Sequence, residues 1–348
     1  MRYHGGRESG GLDFSVNLNP LPPPAGVTDA LRGCLSEEAA RAYPDYEYRD
    51  LVEAIRSFYG CDEVVPLNGS SEGLLLAALA AGARRLVVVQ PSYGEHRDLA
   101  EALGIRYDPL PMDLRESALE FALDPGRLRG ACDDPDALIA LTNPNNPTGS
   151  FLDPREIEEL ASGCRSWILL DEAYAELSDA YPGIAPPRGE RLVVLRSLTK
   201  WLSVPGLRIG FATAPRGLAR RMDALRSTWN VNSVADCFVR RSLTGEGPAL
   251  LSYITRTREY VSMERSRVSG RLMDLGLAPF RGSANFLLIR SREPLDGPIE
   301  RLRSRGISVR DARTFEGLDR TFFRAAIRSR ADDDALLEAL GEVFGAGR

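Results

Sequence analysis

The chain has 348 residues, 43% of them apolar and 27% charged, with a formal net charge of −5. That balance is ordinary for a globular enzyme of about two domains, and its acidic sign argues against a nucleic-acid partner, which selects a basic excess. No apolar run approaches the roughly 18 residues of a membrane span, and the first ten residues lack the apolar stretch of a secretory signal, so a cytoplasmic protein with no membrane partner is expected.

Residues 1–26 read as an irregular arm. It is glycine-rich to Gly11, then runs Asp13-Phe-Ser-Val-Asn17-Leu-Asn-Pro20 into Pro22-Pro23-Pro24, which excludes a helix. A helix is expected over Val27–Leu35, a turn at Ala42-Tyr43-Pro44-Asp45-Tyr46, and an amphipathic helix over Arg49–Tyr59. Pro66-Leu-Asn-Gly69-Ser70-Ser71-Glu-Gly then predicts a short strand, a tight turn and an Ala/Leu helix. Ser70 or Ser71 is expected to cap that helix, whose free N–H groups make an anion site. It is not a P-loop, because the lysine of that motif is missing.

Continuous apolar runs follow at Leu86–Val89, Ala137–Leu141, Trp167–Leu170, Leu192–Leu195 and Ile209–Ala214. Such runs indicate strands buried on both faces, and the helical stretches between them indicate an α/β fold with a mostly parallel central sheet. The first four lead into polar segments: Gln90-Pro-Ser-Tyr93, Thr142-Asn-Pro-Asn-Asn146-Pro-Thr-Gly149, Asp171-Glu-Ala-Tyr174 and Arg196-Ser197-Leu-Thr-Lys200. These are the strand ends at which open α/β sheets bind ligands. Beyond Pro248 the pattern changes to a long charged helix, Ala249–Leu275, and strands at Asn285–Ile289, Ile307–Arg310 and Phe322–Ile327. The expected division is a large domain over 34–248 and a smaller α/β domain over 249–348, completed by the arm, 1–33.

Cys34, Cys61, Cys132, Cys164 and Cys237 are scattered, odd in number and free of C-x-x-C spacing, which reads as reduced thiols. His4 and His96 are the only histidines, so a His-based zinc site or a His-driven hydrolase is poorly supplied and no metal is expected. Lys200 is the sole lysine among 44 basic residues. Arginine stays protonated, whereas lysine can shed its proton and form a Schiff base. Ser197, Thr199 and Arg208 place hydroxyls and a guanidinium near it, the groups a phosphate needs. A lone amine beside a phosphate site points to pyridoxal phosphate.

Asn143–Gly149, Asp171–Tyr174 and Ser197-Leu-Thr-Lys200 with Pro205-Gly-Leu-Arg208-Ile-Gly210 resemble, in order and spacing, segments of the fold-type I pyridoxal-phosphate enzymes, the aspartate aminotransferase superfamily. The resemblance covers nearly the whole chain. It implies that Lys200 is the Schiff-base lysine, that Asp171 pairs with the pyridine nitrogen, and that Asn146 and Tyr174 bond the ring's 3′-oxygen. It implies that Tyr93 stacks on the ring and that Ser70, Ser71, Ser197 and Arg208 hold the phosphate. Tyr43 would reach that phosphate across a homodimer with a shared active site, and Arg324 would bind the substrate carboxylate.

Two branches share these segments: the histidinol-phosphate aminotransferases and the L-threonine-O-3-phosphate decarboxylases of cobalamin synthesis. His4-Gly-Gly with Asp13–Pro20, Leu195–Lys200, Ser308–Asp311 with Phe315–Leu318, and Phe323–Arg328 look more like the decarboxylases. Arg7 and His96 depart from their pattern. The resemblance therefore implies decarboxylation of L-threonine O-3-phosphate, with His4 and Asn17 at the substrate, and the aminotransferase reaction is the alternative.

Overall fold

The computed structural model describes residue 6 and residues 11–37 and 41–345. Among the described residues, seven strands form the main sheet: β1 (Val65–Leu67), β2 (Arg85–Gln90), β3 (Arg106–Pro111), β4 (Ala137–Thr142), β5 (Trp167–Asp171), β6 (Leu192–Ser197) and β7 (Gly210–Thr213). Their order is β1-β7-β6-β5-β4-β2-β3. The strands from β6 through β5, β4 and β2 to β3 run parallel, and β7 is antiparallel to both β6 and β1. The fold is α/β with a mostly parallel sheet.

The apolar runs are continuous because both faces of the sheet are covered. Leu86 and Val88 on β2, with Leu138 and Ala140 on β4, pack under the helices Ser70–Ala81 and Arg216–Leu225. The intervening Val87, Val89, Ile139 and Leu141 point the other way, toward Leu128 and Ile157 of the helices Pro125–Ala131 and Pro154–Ser162.

A second, antiparallel sheet has the order β8-β9-β11-β10, with β8 Ala278–Pro279, β9 Phe286–Arg290, β10 Arg310–Asp311 and β11 Phe322–Ala326. Its core joins Val268 and Leu272 of the long helix Gly247–Asp274 to Leu336 and Leu340 of Arg330–Gly345. Phe14 of the arm is fully buried in the same core, a contribution of roughly 2–3 kcal/mol, and Leu12–Asp13 pairs in parallel with Ile307–Ser308. Ile307–Arg310, expected as one strand, is split: its first half pairs with the arm and Arg310 pairs with β11.

Two further expectations are corrected. The cysteines are not all thiols: Cys34 is bonded to Cys237 and Cys132 to Cys164, while Cys61 is free and buried. Neither Ser70 nor Ser71 caps its helix. Gly69 occupies that position at φ 75°, and both serines lie in the first turn. Among the described residues, no helix is long and apolar enough to cross a membrane.

Candidate active site

Parallel strands deliver their ends to one side. Thr142 is in register with Asp171, and Asp171 with Leu195, so the segments after β4, β5 and β6 emerge side by side. Lys200 sits on a single helical turn, Leu198–Trp201, anchored by the buried Leu198 and Trp201. The arm ties this turn down: Asn19 N donates to the Lys200 carbonyl at 3.1 Å and Asn19 Nδ2 to the Trp201 carbonyl at 3.0 Å. Lys200 remains half-buried at the wall of a cavity of about 380 Å³.

That cavity brings together Lys200, Tyr174, Asn146, Tyr93, Asn17 and Arg324. Asn17 Nδ2 donates to Tyr174 Oη at 3.3 Å. Arg324 Nη1 donates to Asn146 Oδ1, which leaves Nδ2 as that amide's donor, and Arg324 Nη2 donates to the Ser15 carbonyl at 2.6 Å. Asp171 accepts from Ala173 N at 3.1 Å. Burial pushes its carboxyl up to about 6, against the opposing pull of Ala173 N and the Lys200 charge. Burial likewise pushes the Tyr93 phenol up to about 12, while a hydrogen bond to Ser71 works the other way. His96 lies beneath Tyr93 rather than in the cavity. Its Nδ1 is 2.8 Å from the Tyr93 carbonyl, and burial lowers the imidazole to about 4.

The expected phosphate residues converge next to this cavity. A Cβ on Gly69 would come within 2.5 Å of Arg208 Nη2, and one on Gly210 within 3.0 Å of Ser70 N. Gly210 is in register with Ser197, whose Oγ is 2.8 Å from Thr199 Oγ1. The first-turn N–H groups of Ser70 and Ser71 have no acceptor within their helix. Glycine at 69 and 210 thus lets backbone N–H, hydroxyl and guanidinium groups approach one another closely.

Arg310 was not among the expected site residues. It lies directly across the strand pair from Arg324, and both guanidiniums belong to the cavity wall. Burial, and then the neighbouring Arg310, lower Arg324 to about 10. Among the described residues, Arg324 bonds no carboxylate and its Nε has no partner. Arg310 donates to Thr314 Oγ1 at 2.9 Å and stacks over Phe315 at 5.1 Å. The only sequence signal for Arg310 was its place in Ser308-Val-Arg-Asp. Tyr43 stays outside the cavity, 76% exposed and stacked on Trp229 with ring centroids 4.2 Å apart. His4 and Arg7 lie outside the described residues.

Residues 9–340 match the family Aminotransferase class I and II. The chain belongs to that family. It is 33% identical to a threonine-phosphate decarboxylase of Salmonella typhimurium, over 96% of this chain and 91% of that one. It is 32% identical to a histidinol-phosphate aminotransferase of Chlorobium luteolum, over 96% of this chain and 94% of that one. The crystal structure of the histidinol-phosphate aminotransferase from Clostridium acetobutylicum matches with a TM-score of 0.84 at 25% identity, covering 96% of this chain and 99% of that one.

The cofactor of this aminotransferase family is pyridoxal 5′-phosphate, and the residues present fit it. The cradle at Gly69, Ser70 and Arg208 suits its phosphate. The buried Asp171 carboxyl suits a cationic ring nitrogen. Asn17 Oδ1 and Arg324 Nε are buried polar atoms in the cavity wall without partners among the described residues, and such atoms call for a ligand.

Proposed function

We propose that this family member decarboxylates L-threonine O-3-phosphate to (R)-1-amino-2-propanol O-2-phosphate, the reaction type used in cobalamin biosynthesis. The observation that carries the reading is the buried pair Arg310 and Arg324 in the same cavity wall as Lys200. Adjacent buried guanidiniums favour a ligand with more than one negative charge. A phosphorylated amino acid brings a phosphate and a carboxylate. The name of the Salmonella typhimurium relative supports the same substrate.

When bound, pyridoxal phosphate supplies an electron sink for the bond broken at the substrate's α-carbon. Lys200 Nζ is the amine that would hold it, and it is the group that would return a proton to the α-carbon after CO₂ has left. The Asp171 carboxylate would hold the proton on the ring nitrogen. Tyr174 Oη and Asn146 Nδ2 would face the 3′-oxygen, and Tyr93 would cover the ring. The N–H groups of Ser70 and Ser71, with Ser197 Oγ and Arg208, would take the phosphate. Arg324 would fix the substrate carboxylate and Arg310 the substrate phosphate, with Asn17 and His4 of the arm beside them. Where that carboxylate is held decides which bond at the α-carbon breaks. Tyr43, exposed in the single chain, would reach the phosphate site of a second copy in a homodimer.

The second reading, transamination of histidinol phosphate, is favoured by the 32% identity to the Chlorobium luteolum aminotransferase. The test is to supply L-threonine O-3-phosphate alone, then histidinol phosphate with 2-oxoglutarate, and to identify the products. Decarboxylation of the first supports the proposal. Amino transfer from the second, with no product from the first, overturns it.

A further inference from the structure

Behind the cavity lies a charged cluster that none of the roles above uses. Arg196, on β6 four residues before Lys200, has a fully buried side chain. Its Nε donates to Glu172 Oε2 at 2.8 Å, its Nη1 to Glu176 Oε1 at 2.9 Å and its Nη2 to Tyr181 Oη at 2.8 Å. Tyr181 Oη donates in turn to Glu172 Oε1, and Tyr59 Oη to Glu176 Oε1, both at 2.9 Å. None of these side chains lines the cavity that holds Lys200. A buried ion cluster gives little stability over well-packed apolar groups, so the cluster calls for a reason other than stability.

Its placement supplies one. Glu172 directly follows Asp171, and Tyr174 lies midway between Glu172 and Glu176. Arg196 therefore grips the turn Asp171–Tyr174 on both sides of the residue whose hydroxyl meets Asn17. The backbone is held as well: Glu172 N donates to the Leu195 carbonyl at 2.9 Å, and Arg258 Nη2 donates to the Ala175 carbonyl at 3.0 Å. Among the described residues, the only side chain joining this turn to β6, the strand that leads into Lys200, through bonds on both flanks of Tyr174 is that of Arg196.

We infer that Arg196 is a positioning residue for the active site: through Glu172 and Glu176 it sets the turn that presents Asp171 and Tyr174 beside Lys200. The inference rests on the reading of Lys200 as the cofactor lysine. Misplacing a reacting group by 1 Å can cost about a hundredfold in rate. Removing this grip should therefore change the cofactor's surroundings and kcat while leaving substrate binding at Arg310 and Arg324.

The test uses the full chain loaded with pyridoxal phosphate. Removing Arg196 alone would strand two buried carboxylates, so the informative variant is Arg196→Met with Glu172→Gln and Glu176→Gln, which removes all three charges together. Four quantities are read: the melting temperature, the pH midpoint of the near-visible absorbance of the bound cofactor, kcat and KM. The expected result is a folded protein whose midpoint moves by about half a pH unit or more, whose kcat falls about ten- to a hundredfold, and whose KM changes less than about threefold. Tyr181→Phe, which deletes one hydroxyl, is the milder cut and should move the same quantities in the same direction by less. Wild-type midpoint and kcat in a folded variant of either kind would overturn the inference, because a merely structural cluster would change only the melting temperature. Absence of a cofactor band in the wild-type protein would overturn the underlying reading of Lys200 as well.

Discussion

Replacing Asp171 with Asn should strengthen the fold of the cofactor-free protein while disabling its function. Burial raises the Asp171 carboxyl from 3.8 to about 6. The unfolded chain therefore ionises this group first. Between about pH 4 and pH 6 the folded protein binds more protons than the unfolded one, so stability falls as pH rises through that window and stays lower above it. A rise of this size corresponds to about 3 kcal/mol, or about 4 °C in melting temperature for a chain of this length. Without cofactor, Asp171→Asn should melt about 4 °C above the wild type near pH 7.5, and the gain should vanish near pH 4. Turnover should fall at least about a hundredfold, because an amide cannot hold the proton on a pyridine nitrogen. Scanning calorimetry of both proteins across this range is the assay. Glu172 and Asp333 are both raised to about 7, so the difference between variant and wild type is the diagnostic quantity. A variant that melts at or below the wild type near pH 7.5, or a difference independent of pH, would refute the reasoning.

Lys200→Ala should abolish turnover and leave no borohydride-stable cofactor adduct, as seen by intact-protein mass measurement; a retained adduct would place the linkage elsewhere. Arg324→Gln removes a buried cation that, among the described residues, bonds only neutral acceptors. Its KM for threonine phosphate should rise about ten- to a hundredfold, as for loss of a charge-assisted hydrogen bond, and an unchanged KM would remove Arg324 from the substrate site. Gly69→Ala forces a Cβ to within 2.5 Å of Arg208 Nη2 at a φ of 75°. Cofactor affinity by absorbance titration should weaken at least about tenfold with the helical content unchanged, and wild-type affinity would count against the phosphate cradle.

The main sheet was legible where strands are buried on both faces, since each then spells a continuous apolar run. β3 was not, because it lies at the sheet edge, is half-exposed and carries Pro109 and Pro111, which an edge tolerates. The candidate residues on contiguous segments, from Asn146 to Lys200, were named from local motifs, and the fold brings Asn146, Tyr174 and Lys200 to one cavity. Arg310 could not, because its place beside Arg324 depends on a cross-strand register that no local pattern records. The Cys34–Cys237 bond joins residues 203 apart through helix packing, which spacing along the chain cannot reveal. Arg196 ended an apolar run and read as a strand terminus, whereas its burial depends on two carboxylates that only the folded turn brings to it.

The most direct test of the central claim follows the carboxyl carbon. L-Threonine O-3-phosphate labelled at the carboxyl group is incubated with the pyridoxal-phosphate-loaded protein, and the label and the amine are tracked by NMR. The account predicts that the label leaves as CO₂ while the nitrogen stays on a phosphorylated aminopropanol. A label that remains on the substrate carbon while the nitrogen passes to an added 2-oxo acid would contradict it.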